Sequence, residues 1–210
     1  MLLRIMKKPS LIILLFTCFT ISVTVAQVAE GKANTSSLGL TFSSFGSNDV
    51  IYFQQMDGAA SYNGDHFYTL GFAYLYRFSK HSELETGIEY SSHKIIINPN
   101  VPPDADDTPY GSGFSLINIP VSLRFTFAKY FFLHGGLLLD IDPTLSSPID
   151  NQTGLGAGLG LGGKYGFPCG ISVFINPYLK AHSLIPFTPD DNHQHVMESG
   201  FRFGMTYTLN

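Results

Sequence analysis

Residues 115–142 read SLINIPVSLRFTFAKYFFLHGGLLLDID, two apolar runs with Arg124, His134 and Asp140 set inside them. Taken at period two, Ile117, Ile119, Val121, Leu123, Phe125 and Phe127 share one face. Asn118, Pro120, Ser122, Arg124 and Thr126 share the other. In the second run Phe131, Leu133, Leu137, Leu139 and Ile141 oppose His134, Gly136, Asp140 and Asp142. Such alternation marks β-strands whose two faces meet different surroundings. A chain built of these strands folds in few ways, because the charged and apolar faces cannot both meet water.

The same rhythm recurs in stretches near residues 38–43, 68–78, 83–90, 155–165, 171–182 and 197–208, which makes eight strands. Their connections alternate in length. Ser79–Ser82, Ala128-Lys129 and Gly166–Gly170 are short; 46–66, 92–113, 143–152 and 183–194 are long. That is the pattern of an eight-stranded antiparallel up-and-down transmembrane β-barrel with short periplasmic turns and long extracellular loops. The strand charges fall on the glycine-rich parity, where small neighbours leave room for long side chains. Arg77, Glu85, Glu89, Arg124, Asp140, Lys164, Lys180, Glu198 and Arg202 are the expected barrel-interior charges. Facing lipid, a cation among them would cost about 2–4 kcal/mol near the midplane. A secreted, soluble, lipocalin-like barrel is the alternative, and it would carry its apolar face inside. Tyr76, Phe78, Phe125, Phe127, Phe131, Tyr165, Phe167 and Tyr207 gather at the short-turn end of the apolar parity, as an interfacial girdle would. Pro120 and Pro177 remove ladder hydrogen bonds within strands, so a bulge is expected at each.

Ahead of the strands, Arg4, Lys7 and Lys8 precede an apolar stretch from Leu11 to Val23 and the small residues Thr24-Val25-Ala26. Residues 1–26 therefore read as a signal peptide, and 27–210 as one barrel domain exported to the outer membrane. Three of the 12 Lys+Arg and none of the 16 Asp+Glu lie in that leader, so the remainder carries nine cations against 16 anions, a net charge of −7. This balance argues against a nucleic-acid partner. Cys169 is the one cysteine beyond the leader, so no internal disulfide can form there. Charged residues make up 13 % of the chain, about half the usual share of a soluble domain.

The segments LETGIEYS (84–91), INIPVSLRFTF (117–127), YFFLHGGLLLDI (130–141) and ESGFRFGMTYTLN (198–210) resemble the outer membrane protein beta-barrel domain family of Bacteroidota, the porin-family proteins. The resemblance implies an integral outer-membrane barrel with no shared catalytic residues. Such barrels usually end in an aromatic residue, whereas here Leu209-Asn210 follow Tyr207.

Chemistry-bearing clusters are few. Asp190, Asp191, His193 and His195 lie close enough in sequence to ligate a divalent metal, and Asp104, Asp106 and Asp107 could hold a cation. Both also suit solvated loops, and neither a metal nor a cofactor is expected. A lipid-modifying enzyme would need a serine and a histidine on one face. His182 and Ser183 are adjacent, so a regular strand points them to opposite faces. GLGAGLGLGG (154–163) alternates within a strand and is no phosphate loop. The expected role is thus structural, surface-interacting or of minor permeability, without catalysis. A narrow channel for small solutes is the nearest alternative, and it requires a water path past Arg124 and Arg202. Expected partners are outer-membrane lipid and lipopolysaccharide, with extracellular ligands reached through loops 46–66 and 92–113.

Overall fold

The alternating stretches do form strands. The computed structural model describes residues 34–53, 60–102, 106–188 and 192–209; the leader, Asp104, Asp190 and Asp191 lie outside them. The strands are β1 (Thr35–Tyr52), β2 (Ser61–Arg77), β3 (Ser82–Asn98), β4 (Tyr110–Phe127), β5 (Phe131–Ile141), β6 (Gly154–Gly166), β7 (Ile171–Pro186) and β8 (Gln194–Leu209). Each pairs antiparallel with its neighbours in sequence, and β1 pairs with β8 to close the ring. The fold is an eight-stranded up-and-down β-barrel.

Register fixes its width. Partners followed once round the ring run Thr35, Arg77, Glu83, Arg124, His134, Gly160, Tyr178, Gly200, and return to β1 between Ser44 and Ser47. That return lies about ten residues up the strand, which at about 3.3 Å per residue and 4.8 Å between strands tilts them by roughly 40° and gives a backbone radius of about 8 Å. Side chains can fill such a bore.

Outward positions are apolar over one band. Leu40, Leu70, Phe72, Ile88, Val121, Leu123, Leu137, Leu159, Leu161, Ile175, Phe201 and Met205 are all exposed. From Tyr68 to Phe78 the band covers about 25 Å of barrel height at this tilt, the thickness of an outer-membrane apolar belt. The girdle residues ring its short-turn edge, all exposed but the half-buried Phe127. These faces are the reverse of a soluble barrel's.

Two expectations need correction. The stretch 46–66 is mostly strand and 92–113 is half strand, not loop. β1 to β4 and β8 run on past the belt by roughly 15–20 Å, at about 2.5 Å of height per residue. What remains between strands is 53–60, 99–109, 142–153 and 187–193. Nor does either proline create a bulge. Pairing resumes in unchanged register on both sides of Pro120 and of Pro177, with only the nearest bridges missing on one side. The Pro177 carbonyl accepts a 2.9 Å hydrogen bond from Asn176 Nδ2. Bulges sit instead in the long-loop half, at Ser44/Ser47, Gly64/His66 and Leu155/Ala157.

The lumen as the candidate functional site

Inward positions at belt level hold a ladder of ion pairs. At the short-turn mouth Glu83 accepts from Arg77, whose Nε lies 2.8 Å away, and stands 3.4 Å from Lys164 Nζ. One rung higher Glu85 bridges two guanidinium groups, Arg124 at 2.5 Å and Arg202 at 2.9 Å. Arg202 reaches Glu89 at 3.6 Å, and Lys180 joins Glu89 at 2.6 Å to Glu198 at 3.8 Å. Tyr178 donates to Glu198 at 2.6 Å. Glu198 Oε2 then faces His93 Nε2 at 3.5 Å and His182 Nε2 at 3.8 Å. His182 Nδ1 lies 3.1 Å from Asp140, which also accepts from Asn118 Nδ2 at 2.6 Å. Every expected interior charge thus points inward. Arg77 and Lys164 mark the rim, with side chains 29 % and 18 % exposed.

The lumen is not lined by charge alone. Phe132 and Phe174 also point inward, and Arg124 stacks over both rings at 4.3 and 4.7 Å. Glycines explain the fit. A Cβ at Gly162 would strike the Phe132 ring, and one at Gly204 the Phe174 ring. The glycine parity therefore makes space for aromatic rings as well as for long cations. With the bore so filled, Arg124 is 2 % and Arg202 4 % exposed. These are the two residues past which the narrow-channel alternative would need its water path.

Above the ladder the lumen changes character. Val50, Ile95, Ile97, Phe114, Leu116 and Val196 form a buried apolar cluster, joined by Ile149 from the β5–β6 connection. That segment, 142–153, crosses the mouth where β5 and β6 have ended. Asp142 accepts from Thr144 N at 2.9 Å and Gln152 N at 3.3 Å. Gln152 Nε2 donates to the Gln194 carbonyl at 2.8 Å, and Asp150 and Gln194 exchange two bonds of 3.0 and 2.9 Å. Thr144 Oγ1 accepts from Ser115 N at 3.1 Å. The segment is a strap tied by these bonds to β4 and β8.

The Ser–His geometry differs from the regular-strand expectation. Ser183 has φ +49° and sits in the β7 bulge, so His182 and Ser183 both face inward and both are fully buried. The Ser183 amide donates to Asp140 Oδ2 at 3.0 Å, and its hydroxyl lies 3.4 Å from His193 Nε2. His195 Nδ1 donates to the Ser183 carbonyl at 2.8 Å. His193 and His195 thus brace the bulge. Among the described residues no three His, Cys, Asp or Glu side chains stand in a metal-holding arrangement. Asp106 accepts from the Thr108 amide at 3.0 Å, and bonds from the Thr108 side chain and amide hold its carboxyl below the usual range.

No family model matches the sequence. No curated protein matches it either. Among solved structures it is similar to the outer membrane protein OprG from Pseudomonas aeruginosa, at 14 % identity and TM-score 0.45, over 88 % of this chain and 100 % of that one. It is also similar to the translocator domain of the autotransporter NalP from Neisseria meningitidis, at 10 % identity and TM-score 0.36, over 95 % and 97 % of the two chains.

Proposed function

We propose that this chain is an integral outer-membrane barrel, set with its short turns toward the periplasm, whose lumen is a structural core rather than a pore. The observation that carries the reading is the contrast between adjacent residues. Arg124 is 2 % exposed inside while Leu123 is 60 % exposed outside. Only a hydrocarbon surrounding makes that arrangement favourable, since closed barrels satisfy every backbone group where water is absent. The working surface is then the rim at the long-loop end, where extended strands and the 142–153 strap meet water. Ligands, if taken, engage that rim, and lipopolysaccharide is the neighbouring partner. Catalysis has no foothold in Ser183, which is fully buried among Asp140, His193 and His195.

The test is reconstitution. The folded chain is expected to float with phospholipid vesicles and to give no stepwise current in a planar bilayer. Recovery in the aqueous phase would overturn the membrane reading. Reproducible unitary conductance would overturn the filled-lumen reading and restore the narrow channel.

A further inference from the structure

Across β5 to β8, Phe131, Gly163, Ile175 and Phe203 form one hydrogen-bonded row. All four positions face outward, and Gly163 is the one without a side chain. The gap opens a cavity of about 510 Å³ on the outer wall, lined by Phe131, Tyr165, Val173, Ile175 and Phe203. Its lining, from the girdle residues Phe131 and Tyr165 to Phe203, lies within the half of the belt nearer the short turns. At its foot the Tyr130 and Tyr165 rings stack at 6.2 Å, and Lys129 Nζ lies 5.1 Å from the Tyr130 centroid. Lys164, also at the foot, is tied to Glu83. Lys129, exposed at the turn, is left to meet an anion from outside.

We propose that this groove is a seat for a single glycerophospholipid of the leaflet on the short-turn side. One acyl chain lies over Gly163 between Phe131, Ile175 and Phe203. The phosphodiester meets Lys129 and the hydroxyls of Tyr130 and Tyr165. This proposal rests on the membrane reading above. Its warrant is continuity with the apolar belt and the position of the cation. Where outward side chains project, lipid tails pack against a convex wall. Here the wall is concave, so a chain gains contacts on three sides. The cation and two tyrosines stand at the girdle, the height at which a headgroup would lie.

The experiment uses the full barrel reconstituted with phosphatidylethanolamine and phosphatidylglycerol, then released into mild detergent for native mass spectrometry. The wild type is expected to retain one phospholipid. Gly163→Leu should fill the groove, because a Cβ there meets only the Tyr130 carbonyl at 3.9 Å. Its lipid occupancy should fall about tenfold or more. Gly135→Leu is the control, an outward glycine away from the groove whose Cβ likewise meets only ordinary contacts; it should keep its lipid. Should Gly163→Leu lose its heat-modifiable mobility, Phe203→Ala removes the groove's upper wall and should shed lipid in the same way. Lys129→Gln should loosen the retained lipid and reduce the share that is phosphatidylglycerol. Equal retention by wild type, Gly163→Leu and Phe203→Ala overturns the seat, and so does equal loss in Gly135→Leu. If the wild type does not float with vesicles at all, the membrane reading itself fails and this proposal with it.

Discussion

One strand passes through two interiors. In β3 the inward residues Glu83, Glu85, Glu89, Ser91 and His93 give way to Ile95 and Ile97, while the outward Leu84, Ile88 and Tyr90 give way to Ser92 and Lys94, with Ile96 an exposed apolar residue beyond them. The faces exchange chemistry without any change of parity. The same exchange occurs in β4, where Phe114 and Leu116 turn inward above Asn118 and Arg124. On the membrane reading proposed above, the cause lies outside the barrel. Where water surrounds the wall, burying apolar area drives packing, and the upper lumen is an ordinary apolar core. Where hydrocarbon surrounds it, moving a leucine inward gains nothing, because lipid tails are as apolar as leucine. The lower lumen must be held by directed interactions, and it is held by ion pairs. The height at which the faces exchange, near Ser91–Lys94, marks the boundary between the two surroundings.

The contrast can be broken at three places. The largest effect is expected for Glu85→Gln, which leaves Arg124 and Arg202 without their shared carboxylate; losing one partner of a buried ionic cluster costs about 3–5 kcal/mol. Urea titration in vesicles should show it, and a loss below 1 kcal/mol would mean that water, not Glu85, compensates the guanidinium groups. Next come matched insertions on the outer face. Leu123→Arg at belt level should cost about 2–4 kcal/mol, whereas Ile96→Arg above the belt should cost close to nothing. Equal penalties would place the boundary wrongly. The smallest effect belongs to Ile149→Ala, about 2 kcal/mol, at the low end for such a truncation because a surface segment can settle into the space. It should free the 142–153 strap for proteolysis and leave the lower barrel's heat-modifiable mobility intact. Loss of the whole fold in that variant would show the two interiors to be one cooperative unit.

The exchange of faces also explains what could and could not be read in advance. Eight strands, their order, the outward belt and the inward charges followed from period-two alternation, because one template holds along the whole belt. The upper strand segments did not. At Leu116-Ile117 two successive apolar residues face opposite ways, and at Ser91-Ser92-His93-Lys94 four polar ones do, so the template fails where the strand continues. The stretch 92–113 therefore reads as loop, and the strand pattern is legible only from 115 onward. Phe132 and Phe174 were obscured because their neighbours on the outward face are equally apolar. Their signal is non-local, since each faces a glycine on an adjacent strand, Gly162 and Gly204. The Ser183 bulge carries no sequence mark, as HSLIP holds neither glycine nor asparagine at the left-handed position. The bracing by His193 and His195 appears only once that turn is made.

The β1–β8 pairing carries a consequence for the order of events in time. Seven pairings join strands consecutive in the chain. The eighth brings Ser36 to Leu209. By loop-closure entropy, joining ends about 170 residues apart rather than about four costs roughly 3 kcal/mol more. The hairpins should therefore zip first and this line close last. Pulsed hydrogen exchange should find the Gly39–Ser43 amides that face β8 protected after those of the β4–β5 hairpin, and the opposite order would refute the sequence. Until the line closes, two rows of backbone amides and carbonyls have no partner in hydrocarbon, each at a cost of several kcal/mol. A curled, open sheet is thus the least tolerable form of this chain in a bilayer, and whatever helps it fold must shelter those two edges until they meet.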